Sequence, residues 1–409
     1  MEVKKIMIGG KTIVKLPCMF AAVAVVALLA FVPSAYPAPQ SAAHPTAQST
    51  GAVYVLTNQP SENAVMVFQR NADGLLQPGA SFPTGGTGLG SGPNPLNSQG
   101  SLILSGDNRL LFAVNAGSDS ISTFAVSGDS LTLLQTIPSG GTEPVSLTNH
   151  RDVVYVLNAG GTANISGFRI TPEAQQGKIL VPIPGSTQPL PNAGTAAPAE
   201  VAFTPDGSAL LVTEPNANQI ISFSIGRGGK AASATSLSPT AGASTNPSSG
   251  TGPFGLAFSR GTAITANTAS GTPQAGSMSS YAMSASGQLA PVSLAVPDNE
   301  TASTWAIVAE KGAIALTTNT MSGTISSYAV DLKSGSLTLS QPIAASLVAQ
   351  DGSSLFPAGM ALSSNEQFLY VRNGANGTVS GFVVQSNGSL TPITQASGLP
   401  DTAAGIAAR

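Results

Sequence analysis

Short apolar runs recur along the chain at a nearly fixed interval, and each stops at an asparagine or at one replacement for it. The runs "VYVLTN", "LFAVN", "VYVLN", "LLVTE", "AITAN", "IALTTN" and "LYVRN" close at Asn58, Asn115, Asn158, Glu214, Asn267, Asn319 and Asn373, separated by 57, 43, 56, 53, 52 and 54 residues. Runs this short, rich in β-branched and aromatic residues, predict strands rather than helices. Nine to fourteen residues after each comes one aromatic, Phe68, Phe124, Phe168, Phe223, Tyr281, Tyr328 or Phe382, within alternating stretches such as "ISTFAV" and "VSGFVV". That period of two predicts a second strand. A Gly-x-Leu turn then leads into a third, as in "NGSLTPI" and "SGSLTLS". A strand of small residues precedes each Asn-ending run: "GSLILS", "PVSLTN", "EVAFTP", "FGLAFS", "WAIVAE", "AGMALS" and finally "AGIAAR".

Four strands per roughly 50 residues, seven times over, predict an all-β protein, a seven-bladed β-propeller of four-stranded antiparallel blades. With strands lettered a to d from the axis outward, the repeat starts on a strand b and ends on a strand a. The last strand must therefore complete the first blade, closing the ring without a free edge. The aromatic on strand c is expected to pack between blades, and small residues on strand a to suit the crowded axis. The asparagine ending strand b is expected to bond the backbone of the b–c turn. A parallel solenoid would need distinct terminal repeats, which this pattern lacks.

Composition agrees. Only 9% of residues are charged, with 45 Gly and 30 Pro, a balance suited to many turns and few helices. Residues 1–38 read as an export signal: Lys4, Lys5, Lys11 and Lys15 precede the apolar run "MFAAVAVVALLAFV" and the small-residue stretch "PSAYPAPQ". Residues 39–50 read as a linker and 51–409 as the propeller, exported to a periplasmic or secreted location. Cys18 is the sole cysteine and lies ahead of the apolar run, so disulfides and thiolate chemistry are excluded from the mature chain. Two histidines, His44 and His150, leave little material for a histidine-rich metal site.

The turns "FTPDG", "LSGDN" and "LSSNE", the runs "YVLNAGG" and "LYVRN", and above all "PAEVAFTPDGSALLVTEPNANQIISFSI" resemble the seven-bladed propeller lactonase family. That family contains 6-phosphogluconolactonase and carboxymuconate cyclase and is related to YVTN-repeat proteins. The resemblance implies an active-site carboxylate at the end of one strand b, matching Glu214. It also implies Pro-Arg-His opening the paired strand a, where this chain has Pro198, Ala199 and Glu200.

In an antiparallel blade the a–b and c–d turns share one face of the ring, and the b–c and d–a loops share the other, where propeller sites usually open. Arg109, Arg151, Arg260 and Lys311 fall in a–b turns, while Arg70, Arg169, Lys178, Arg227, Lys230 and Lys333 fall at c–d turns, with Arg409 on the same face. Only Arg372 is expected near the mouth. Glu62, Asp119, Glu143, Glu200, Glu214, Asp298, Glu300, Asp351 and Asp401 are expected there, making it acidic. Such a mouth repels phosphorylated and doubly carboxylated substrates, and the chain has no basic stripe for nucleic acid. His150 belongs to the far face, and Trp305 is expected either to stack on a ligand at the mouth or to pack between blades.

Three functional readings follow. In the first, a hydrolase acts on an uncharged or weakly charged lactone. Glu214 is the general base, Glu200 raises its pKa by proximity, and Arg372 or an amide polarises the carbonyl. Trp305, Asn115, Asn158 and Asn373 are its candidate substrate contacts. No cofactor is called for, although clustered carboxylates and amides suit Ca²⁺. In the second, a non-catalytic exported propeller binds an envelope or extracellular partner or a glycan. It would do so through acidic mouth loops, for instance Thr84–Gly100 and Ser238–Pro253. Under either reading the protein is expected to be a monomer with no membrane span after signal removal. In the third, Glu214 is an ordinary turn residue.

Overall fold

The computed structural model describes residues 50–171, 179–191, 194–195, 197–232, 237–238, 241–284 and 287–409. The expected export signal and nearly all of the linker lie outside the described residues, as does Lys178. Every described strand falls between Gly51 and Ala408.

Seven antiparallel sheets follow one another along the chain. The first joins Leu76–Pro83, Ala64–Arg70 and Gly51–Leu56 to Ala404–Ala408 from the far end of the sequence. Tyr54 pairs with Ala407 and Val55 with Ile406, so the final strand closes the first blade as the repeat requires. Two blades carry one extra short strand: Gln188–Pro189 pairs with Asn164–Ile165 in the third, and Leu237–Ser238 with Ala241–Gly242 in the fourth. Ala241–Pro247 forms the outer strand of that fourth blade, so the expected Ser238–Pro253 mouth loop is largely a paired edge. Its Gly, Ser and Ala content hides the strand from a reading based on apolar periodicity.

The strand-c aromatics are the joints of the ring. Phe68, Phe124, Phe168, Phe223, Tyr281, Tyr328 and Phe382 are all buried, and the first large cluster draws side chains from three successive blades, among them Val67, Phe124, Val154 and Phe168. Each buried ring contributes about 1.5–3 kcal/mol of transfer free energy. Strand-b tyrosines add polar ties from one blade to the next blade's c–d turn. The Tyr155 hydroxyl donates to the Gly229 carbonyl at 2.7 Å, and the Tyr370 hydroxyl to Gly74 at 2.8 Å across the ring closure.

The asparagines ending strand b do not bond the b–c backbone as expected. The amides of Asn115, Asn267, Asn319 and Asn373 donate instead to hydroxyls on the neighbouring strand c. Asn319 reaches Thr324 at 3.0 Å and Ser326 at 2.7 Å, Asn373 reaches Thr378 and Ser380 at 2.9 Å each, and Asn115 reaches Ser120 at 3.2 Å and Ser122 at 2.8 Å. Asn158 donates to the side chain of Asn164 at 3.0 Å. The register explains the difference: each asparagine lies opposite the first of those strand-c residues, on the same face as the residue two further on. In the fourth blade Glu214 lies opposite Gln219, and Ile221 stands where the second hydroxyl would be. Side-chain clips of this kind pin strands b and c together at the mouth end.

Candidate functional site

The mouth is shaped by the loop from the first blade to the second. Residues 84–100 carry no charge and cross the ring to reach blades 3 to 7. Ser98 donates to the Val145 carbonyl at 2.7 Å, the Leu147 N–H donates to Gly100 at 2.8 Å, and the Gln99 N–H donates to Ala199 at 3.0 Å. On the opposite side, Arg372 Nη1 donates to the Pro93 carbonyl at 3.1 Å. Glycine allows this crossing to start close to the first blade. A Cβ at Gly88 would lie 2.2 Å from the Asn58 carbonyl oxygen.

Gln99 is the anchor of the loop. Its side-chain amide donates to the carbonyls of Leu256 and Ala306, each at 3.0 Å, and to Glu200 Oε1 at 3.2 Å, while its Oε1 accepts from the Ala306 N–H at 3.0 Å. One side chain therefore bridges the inner strands of blades 4, 5 and 6. Gly255 leaves the space it fills, since a Cβ there would lie 2.5 Å from Gln99 Oε1.

Glu200 sits beneath that bridge. It is 6% exposed, and its second oxygen accepts from the Leu256 N–H at 2.5 Å. Burial pushes its carboxyl well above the usual range, against the opposing pull of the Leu256 N–H and the Gln99 amide. Glu200 pairs in register with Thr213, which donates to the Phe254 carbonyl of the next blade. Glu214 follows Thr213, and neighbouring residues of a strand face opposite sides. The two acids therefore project from opposite faces of the fourth blade, and Glu200 does not adjoin Glu214 as the like-charge pairing requires. Glu214 is wholly buried.

Arg372 is likewise buried, at 1% exposure, and loss of solvent pulls its guanidinium down to about 9. Of the expected far-face cations, Arg109, Arg151, Arg260, Lys311, Arg227, Lys230 and Lys333 stand in their a–b and c–d turns, Arg70 and Arg169 at the ends of their strands c, and Arg409 after the last strand a, while Lys178 lies outside the described residues. His150 is with them, its ring 5.7 Å from that of Phe203 in a surface hollow with Asp107 and Arg151.

At the mouth itself lies a cavity of about 360 Å³, floored by Phe254, Trp305 and Phe356 and rimmed by Asn94, Asn97, Asn216 and Thr304. Phe254 and Trp305 meet edge to face at 5.4 Å. Trp305 thus packs between blades and lines the cavity at once. Asn94 and Asn97 arrive from the crossing loop and were not singled out in the sequence. Among the described residues, no charged side chain lines the cavity. The acidic mouth expected from counting carboxylates is in this respect a neutral one. Asp298 is buried and accepts from Ser303 at 2.7 Å, and Glu300 accepts from Thr324 at 2.8 Å. Asp351 stays exposed, bonded to Ser353 within its own turn. Neither Glu214, Glu200 nor Arg372 lines the cavity, nor do Asn115, Asn158 or Asn373, which are buried in their clips. Among the described residues, no group of three or more His, Cys, Asp and Glu side chains converges as metal ligands.

The fold and mouth define a seven-bladed β-propeller with a shallow, neutral, aromatic-floored site. In sequence, residues 42–180 match the family described as Lactonase, 7-bladed beta-propeller. In structure, the chain is similar to a candidate 6-phosphogluconolactonase from Bacteroides fragilis at 20% identity and a TM-score of 0.61, covering 89% of this chain and 99% of that one. It is similar to the periplasmic gluconolactonase of Pseudomonas aeruginosa at 16% identity and 0.62, covering 86% and 97%. A protein from Lactobacillus plantarum aligns at 17% identity and 0.66, covering 88% and 99%. At such identities the structural likeness establishes the fold. No curated protein matches the sequence. The chain is a seven-bladed propeller whose residues 42–180 are similar to that family.

Proposed function

We propose that this propeller is an exported protein that takes an uncharged ring of lactone or sugar size into its mouth cavity. The observation that carries the reading is the lining. Aromatic faces suit the C–H faces of such a ring, and amides and hydroxyls suit its oxygens. A phosphate or a pair of carboxylates would enter without a single cationic partner in the lining, and each such contact forgone is worth about 1.5–3 kcal/mol. Export rests on the lysines and apolar run of the N-terminal segment. Trp305 is the sole tryptophan of the chain, so its emission reports directly on occupancy of the cavity. Titration with a neutral lactone is the experiment that tests the reading.

The family match favours a second reading, in which the bound lactone is hydrolysed. Glu214 would then activate water as the general base, with Arg372 polarising the carbonyl. Both groups are buried and neither lines the cavity, which sets a clear condition on this reading: water must reach the Glu214 carboxylate, and the lactone carbonyl the Arg372 guanidinium, from the mouth. Proton release from a panel of neutral lactones checks it. Hydrolysis by the wild-type protein, reduced at least 100-fold in Glu214→Gln, supports Glu214 as the base. Equal rates in the two proteins remove Glu214 from that role and leave a binding propeller.

A further inference from the structure

We infer that the free edge of the Arg372 guanidinium is a subsite for a single carboxylate, separate from the neutral cavity. Arg372 is 1% exposed, and its one hydrogen bond to the described residues runs from Nη1 to the Pro93 carbonyl. Nε is fully buried and has no partner. No carboxylate among the described residues lies within ion-pair distance of the guanidinium, since the single ion pair there joins Arg169 to Asp152. A buried cation left without a counter-charge is costly, and the usual resolutions are a paired acid or a bound anion.

The open edge selects among anions. Nε and Nη2 form the side of the guanidinium that matches the two oxygens of one carboxylate, with parallel hydrogen bonds. On that side the inner strand presents a glycine rather than a side chain. The inner-strand residue facing Nε is Gly359, whose backbone at φ +124° favours glycine, and the Cβ it lacks would point to within 3.9 Å of Nε. Pro93, which holds Nη1, directly precedes the cavity-lining Asn94, so the subsite abuts the mouth cavity without opening into its lining. A single guanidinium with no second cation beside it fits a monocarboxylate and not a phosphate ester.

Sodium acetate and sodium chloride, exchanged at constant ionic strength, provide the test. The melting temperature of the wild-type protein is expected to rise saturably by about 2–4 °C in acetate and to stay level in chloride. Arg372→Gln abolishes the rise and Arg372→Lys weakens it, because an ammonium lacks the planar fork. Crystals grown in acetate should show its carboxylate on the Nε–Nη2 edge, a readout independent of how the variants fold. A saturable response to chloride in place of acetate, an acetate response kept by Arg372→Gln, or an edge filled by a protein atom would each overturn the assignment. None of these outcomes depends on what the neutral cavity binds.

Discussion

Replacing Gln99 by alanine is expected to destabilise the propeller by about 2–4 kcal/mol, although the residue belongs to a loop rather than to a blade. The substitution removes the donors to the Leu256 and Ala306 carbonyls and to Glu200, and leaves the Ala306 N–H without its acceptor at the crowded axis. An unpaired buried group costs more than the bond it loses contributes. The change should also reach the cavity, because Ala306 follows Trp305 and the loop carrying Gln99 supplies Asn94 and Asn97. Urea unfolding monitored by Trp305 emission measures both effects together. A stability change under 0.5 kcal/mol, the range of an ordinary surface substitution, would show that the loop merely rests on the blades.

Glu200→Gln is expected to change how stability depends on pH. The folded pKa of Glu200 is raised above its unfolded value of about 4.3, because burial disfavours the charged form. A group shifted in this direction contributes stability in full below the unfolded value and loses it as pH rises towards the folded one. Over that window, where the unfolded state is ionised and the folded state protonated, Glu200 alone subtracts about 1.4 kcal/mol of stability per pH unit. Glutamine cannot ionise and removes that slope, so the variant gains on the wild type steadily from pH 5 towards neutrality. Chemical denaturation at several pH values compares the two. Parallel curves would mean that Glu200 is ionised in the folded protein throughout.

The fold was legible because it is repeated. Seven strand-b endings and seven strand-c aromatics each carry weak evidence, but their common spacing fixes blade number, strand order and the closing of the ring by Ala404–Ala408. The mouth was not legible in the same way. Counting Asp298, Glu200 and Glu214 as mouth charges ignored the burial of all three. The opposed directions of Glu200 and Glu214 follow from hairpin parity, a signal present in the sequence: Glu200 lies opposite Thr213, the neighbour of Glu214. Gln99 was a different case. A stretch rich in Gly, Ser, Pro and Asn reads as solvated loop, and nothing local in "PLNSQG" says that its amide will find strands more than 150 residues away.

The neutrality of the mouth cavity is the claim on which the functional account stands, and Trp305 emission tests it most directly. The protein is titrated in parallel with a neutral sugar lactone and with its phosphorylated counterpart at moderate ionic strength. A saturable change in emission is expected with the neutral ring, lost when Asn94 and Asn97 are both replaced by alanine, and no change with the phosphorylated one. Tighter binding of the phosphorylated lactone, or silence towards every neutral ring, would contradict the account.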